Sequence, residues 1–92
     1  MAEKFKRSLW SGWVRSSDGY AVLLGARTGL DYRDERGEIH IDAEDLMNDA
    51  NEVLVFTKSI PDTSERPKTE VLDRLRRVFE HQGWTLVPME NT

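Results

Sequence analysis

Apolar positions recur along this 92-residue chain with two periods, and the period changes once. In the middle third it is two. Leu30 and Tyr32 alternate with Asp31 and Arg33, and Ile39 and Ile41 alternate with Glu38, His40 and Asp42. Between the two runs lies Asp34-Glu35-Arg36-Gly37, so the pattern predicts a β-hairpin whose turn ends on a glycine able to take a positive φ. One hairpin face is then apolar and the other charged. Glu52-Val-Leu-Val-Phe56 is an apolar run of strand length and reads as a central strand. After Pro67 the period becomes helical. Val71, Leu72, Leu75, Val78 and Phe79 form one stripe, which predicts a helix over Lys68–Gln82. Pro67 suits the entry, Thr69 is a second capping candidate, and Gly83 stands where a left-handed stop is wanted. Glu70 with Arg74 and Asp73 with Arg77 are i,i+4 pairs in the favourable order, and His81 in the last turn suits the helix dipole.

The remaining segments are patterned more weakly. Residues 84–87 read as a short final strand, and residues 60–68 as a connection crowded with Pro61, Pro67 and charges. Residues 9–14 and 20–24 flank Ser16-Ser17-Asp18-Gly19, the signal of a second hairpin. The elements together predict an α+β fold in one domain, residues 1–92, with frayed termini. Its mainly antiparallel sheet of five to six strands carries one helix on one face and ends in a short strand. Leu30, Tyr32, Ile39, Ile41, Val53, Val55, Leu72, Leu75 and Phe79 should form one contiguous core.

Charge distribution adds to this picture more than total charge does. Residues 1–16 carry Lys4, Lys6, Arg7 and Arg15 against Glu3, a net of +3. Residues 17–52 carry ten acids against Arg27, Arg33 and Arg36, a net of −7, and the rest of the chain balances. An acidic middle argues against nucleic-acid binding, where a basic face is the footprint, and suits a surface that attracts a basic partner. The absence of cysteine excludes disulfides, thiolate metal sites and cysteine nucleophiles. No apolar run approaches the ~20 residues of a membrane span. The charged first residues lead into Trp10-Ser-Gly-Trp13 instead of an apolar signal core, so the expected location is cytoplasmic.

Candidate chemistry is sparse. His40, with Glu38 and Asp42 two residues to either side on one strand face, could ligate a divalent ion or serve as a base. The same spacing describes an ordinary wet strand face, and no hydrolase, zinc-protease or phosphate-loop motif accompanies it. Residues 25–29, though they begin and end in glycine, do not form a dinucleotide fingerprint. No enzyme activity, cofactor or catalytic metal is expected. Asp42, Glu44, Asp45, Asp49 and Glu52 do not fit a calcium loop, because Met47 and Asn48 interrupt the ligand spacing. They form either a carboxylate patch that competes with phosphates for a basic cleft, or a solvated short helix capped by Asp42 with Leu46 facing inward. Trp10 and Trp13, three apart on the strand predicted over residues 9–14, would point to opposite faces. One would enter the core, leaving the other beside Arg7 and Arg15 as an anchor for a partner.

Gly29-Leu-Asp-Tyr32, then Glu38-Ile-His-Ile-Asp-Ala-Glu44, Val53-Leu-Val-Phe56 and Ser59-Ile60 before a helix form a longer pattern. Over about residues 29–82 it resembles the family catalogued as immunity protein seventy-four of bacterial polymorphic toxin systems. The chain departs from that pattern after Ile60, where Pro61-Asp-Thr-Ser64 stands in place of a tryptophan. The resemblance implies a small α+β protein that neutralises a toxin by stoichiometric binding, and it gives Glu44 a role in the fold, bonding backbone amides. On this reading Glu38, Asp42, Glu44, Asp45 and Asp49 face a basic toxin domain, with Trp10 as a further contact. The alternative is a structural or regulatory module, of the kind carried on mobile gene cassettes such as integrons, that self-associates as a homodimer.

Overall fold

Five strands follow one another in antiparallel pairs through the first half of the chain: β1 (Phe5–Arg7), β2 (Val14–Ser16), β3 (Ala21–Leu24), β4 (Leu30–Asp34) and β5 (Gly37–Ile41). The computed structural model describes residues 2–24 and 29–90. Residues 25–28 and the termini expected to fray at Met1, Asn91 and Thr92 lie outside the described residues. Register places Val14, Val22, Tyr32 and Ile39 in one row across the sheet, with Leu24, Leu30 and Ile41 in the next. In β4 and β5 this is the apolar face predicted from the alternation. The opposite face carries Lys6, Arg15, Arg33 and Glu38 in a row through Ala21, and Asp31 beside His40. The β4–β5 turn is tight, and Gly37 takes φ +119° there.

The chain then changes sheet. After Asp42 it forms β6 (Ala43–Asp45), returns as β7 (Glu52–Phe56), turns through a 3-10 segment at Thr57–Ser59, and enters α1 (Lys68–Gln82) before β8 (Thr85–Met89). β6 runs antiparallel to β7 and β8 runs parallel to it, giving a second sheet of order β6-β7-β8. The α+β class and the five-stranded antiparallel sheet agree with the sequence. The separate three-stranded sheet does not follow from it. A parallel pair needs a crossover, and α1 supplies it between β7 and β8. Ser59 secures the change of sheet: its hydroxyl accepts the Asp42 N–H at 2.8 Å and donates to the Phe56 carbonyl at 2.6 Å.

α1 has the predicted bounds, begins after Pro67 and ends at Gly83 with φ +79°, a conformation that a residue with a Cβ adopts only at a cost. Its stripe closes the core. Leu30, Tyr32, Ile41, Val53, Val55, Leu75 and Phe79 are buried together, with Ile39 and Leu72 packed against them. One core thus joins both sheets and the helix, and Trp84 packs edge-on against Phe79 at 5.5 Å.

Two sequence expectations are corrected. Residues 9–14 are not a strand. β1 lies earlier, at Phe5–Arg7, and the chain bends through a turn between Ser8 and Trp13, whose N–H and carbonyl bond at 2.8 Å. Gly12, at φ +80°, cannot belong to an extended strand. Neither Trp10 nor Trp13 therefore enters the core: Trp10 is exposed, and Trp13 lies half-buried under the Arg33 guanidinium, 4.1 Å from its ring centre. Nor do Asp42 and Leu46 frame a short helix. Ala43–Asp45 is extended in β6, and Leu46 is exposed.

Candidate functional site

The carboxylates fall into two groups, which the helix arginines separate. The first group is used inside the molecule. Asp34 ends β4 with a side chain wholly removed from solvent. It accepts the Tyr32 hydroxyl and the Arg36 N–H, both at 2.8 Å, together with the guanidinium groups of Arg36 at 2.9 Å and Arg66 at 2.8 Å. Arg74 of α1 stands 3.6 Å away and donates to the Tyr32 hydroxyl. Burial alone would raise the Asp34 pKa, but the Arg66 guanidinium, the Tyr32 hydroxyl and the Arg36 amide together hold it well below the usual carboxylate range. Burial, with the Asp34 charge beside it, pushes the Tyr32 hydroxyl up to about 12. Arg36 also donates to the Glu65 carbonyl and forms an ion pair with the Glu70 carboxylate, so this cluster ties the hairpin tip to the 60–68 connection and the helix.

A smaller cluster repeats the arrangement at the N-terminal end. Glu3 accepts from Ser16, from the Tyr20 hydroxyl at 2.6 Å and from Arg77 at 2.9 Å. Burial opposes these bonds, yet the Glu3 pKa is lowered by them. Arg77 also reaches Asp18 and Asp73. Sequence reasoning found the local Glu70–Arg74 and Asp73–Arg77 pairs and missed both clusters, whose partners lie up to 74 residues apart.

The second group faces outward. Glu38 is exposed on β5, Asp42 follows at the step between sheets, Glu44 and Asp45 are exposed on β6, and Asp49 is exposed in the loop before β7. Among the described residues, no Lys or Arg forms an ion pair with Glu38, Asp42, Glu44, Asp45 or Asp49. β6 is an edge strand of its sheet. Asp45 accepts the Met47 N–H at 2.8 Å, and Asn48 exchanges bonds with Glu52 at 2.8 and 3.0 Å, which shapes the intervening loop. Glu44 bonds no backbone amide among the described residues, so the fold role expected of it falls to Ser59 instead. Trp10 belongs to a different place altogether, the β1–β2 turn at the far edge of the five-stranded sheet.

His40 sits between two carboxylates. Its Nδ1 is 2.9 Å from Asp31, directly across the hairpin, and its Nε2 is 3.8 Å from Asp42. Asp31 was not among the predicted neighbours because it lies on the partner strand. Among the described residues, no three His, Asp or Glu side chains converge as a metal site. Gly29 packs so close to this strand that a Cβ there would overlap the Ile41 carbonyl and press on the His40 ring. The motif residues Gly29, Ser59 and Ile60 thus serve close packing and the change of sheet. No helix among the described residues is long and apolar enough to cross a membrane.

No family model, curated protein or solved structure matches the chain.

Proposed function

We propose that the protein is a non-catalytic binding protein of the immunity type, which neutralises a bacterial toxin by stoichiometric contact through its acidic surface. One observation carries this reading: Glu38, Asp42, Glu44, Asp45 and Asp49 are exposed with no Lys or Arg ion pair among the described residues, while the acids that face the helix are matched by arginines. Exposed like charges steer encounter with a basic partner and make association salt-dependent. The resemblance over residues 29–82 points in the same direction. The β6 edge adds a strand rim on which a partner can align.

The test begins with the neighbouring genes: a basic toxin domain found there is titrated against the protein by calorimetry at several salt concentrations. A one-to-one complex that weakens with salt, and weakens again when Asp45 and Asp49 are both replaced by Lys, supports the proposal. An affinity left intact by that double reversal across the salt series refutes the acidic contact, and Trp10 becomes the better candidate. The second reading, a self-associating module of the gene-cassette kind, is favoured by the exposed Leu9 and Trp10.

A further inference from the structure

Four large apolar side chains are exposed among the described residues: Leu9 at 97%, Trp10 at 99%, Leu46 at 40% and Met47 at 88%. They fall into two adjacent pairs of opposite electrostatic setting. Leu9 and Trp10 cap the β1–β2 turn, beside a cavity of about 430 Å³ that is also lined by Lys6, Arg7 and Arg15. None of these three cations has a carboxylate partner among the described residues. Leu46 and Met47 stand at the end of β6 beside Glu44, Asp45 and Asp49, anions with no Lys or Arg ion pair among the described residues. Met47 holds φ +52°, outside the range comfortable for its type, under the hydrogen bond to Asp45. The two ends lie on edge strands of different sheets, and their exposure shows that they do not cover each other within one molecule.

We propose that these ends recognise each other between copies of the chain: the basic end with Leu9 and Trp10 seats on the acidic end with Leu46 and Met47 of the next molecule. Each end supplies what the other lacks, an apolar centre with a rim of opposite charge. Methionine is a soft partner for an indole, and tryptophan is a frequent interface anchor. Because the two surfaces differ, the contact is head-to-tail and leaves a free end of each kind, so copies add into open chains or closed rings. The contact uses the acidic edge proposed above for a basic partner, so a toxin and a second copy would compete for it.

Sedimentation of the full chain tests this. At low salt the mean mass should rise with concentration to at least about twice the monomer mass, and return to 10.7 kDa in about 1 M salt, where charges act over only about 3 Å. The deciding experiment mixes two variants. Arg7→Glu with Trp10→Ala removes the basic end, and Asp45→Lys with Asp49→Lys removes the acidic end. Each alone should be monomeric with unchanged thermal unfolding, and an equimolar mixture should form one-to-one dimers through the ends that remain. A wild-type chain that stays monomeric at low salt, a single variant that still dimerises, or a mixture that stays monomeric overturns the proposal. So does a monomeric wild type whose tryptophan fluorescence shifts on anionic vesicles while that of Trp10→Ala does not, which would identify the basic end as a lipid contact. The basic-end variant also separates the two proposals: if it still binds the toxin, failure of self-association leaves the inhibitor reading intact.

Discussion

Asp34 and Asp45 are the same side chain at the end of two strands ten or so residues apart, and the fold uses them in opposite ways. The Asp34 side chain is wholly buried, with three guanidinium groups within 3.6 Å, whereas Asp45 is exposed and its side chain bonds, among the described residues, only the nearby Met47 amide. The difference comes from what lies across from each. β4 ends against the helix and the 60–68 connection, which bring Arg66 and Arg74, whereas β6 is an edge strand whose exposed carboxylates form no Lys or Arg ion pair among the described residues. A carboxylate's sequence neighbours do not decide whether it serves the fold or the surface; the element packed over it does.

Removing the inner carboxylate should have the largest effect. Asp34→Ala leaves Arg36, Arg66 and Arg74 partly buried without their common acceptor, and should cost about 3–5 kcal/mol in chemical denaturation. A loss under about 1 kcal/mol would show that the arginines relax into solvent and that the two acidic groups differ less than their burial suggests. Leu75→Ala, on the fully buried helix stripe, should cost about 2–5 kcal/mol. A loss below about half a kcal/mol would mean that the helix does not bear on the core in the way the burial describes.

Acid sharpens the comparison. The Asp34 and Glu3 pKa values are lowered in the folded chain, so the stability they contribute is complete above the range where unfolded carboxylates take up protons. It is lost as pH falls through about 4 toward the lower folded-state values. Unfolding followed from pH 7 downward should show a steep fall below about pH 5, shallower in Glu3→Gln. An unchanged slope in that variant would remove Glu3 from the account. The smallest effects belong to the outer group. Glu44→Ala, and Asp45→Lys with Asp49→Lys, should each leave stability within about 0.5 kcal/mol of the parent. The double reversal should nevertheless abolish salt-dependent association with a basic partner. A thermal shift of several degrees in Glu44→Ala would return that residue to the fold role implied by the resemblance.

The periodic elements were legible because their patterns are local. Leu30, Tyr32, Ile39 and Ile41 mark one hairpin face, and the stripe from Val71 to Phe79 marks the helix, with Pro67 and Gly83 at its ends. Three features were not. β1 holds one aromatic among Phe5–Arg7 and β6 one alanine among Ala43–Asp45, too little pattern to register as strands. The apolar content of residues 9–14 suggested a strand, but Leu9 and Trp10 are apolar without being buried. Pairing partners were the deepest gap: the apolar run Glu52–Phe56 and the segment after the helix read as strands, but nothing in them shows that they lie side by side and parallel. The candidate site divides in the same way. The density of acids between residues 38 and 49 was visible, but that none of them forms a Lys or Arg ion pair among the described residues is a property of tertiary packing. The Asp34 cluster depended on Arg66, which sits in a connection with no periodicity at all.

The parallel pairing of β7 with β8 also sets an order in time. Each hairpin of the five-stranded sheet closes over a few residues, whereas Glu52 and Thr85 are separated by the whole helix and should pair later. The short β6–β7 arm is too small to persist alone, so it waits for β8 to complete its sheet. Amides of β4 and β5 should gain protection from exchange before those of β7 and β8 during refolding. The β6 part of the acidic rim, Glu44 and Asp45, should therefore be assembled last. A molecule that displays it has already finished folding, and a partner that grips it selects complete copies over half-built ones.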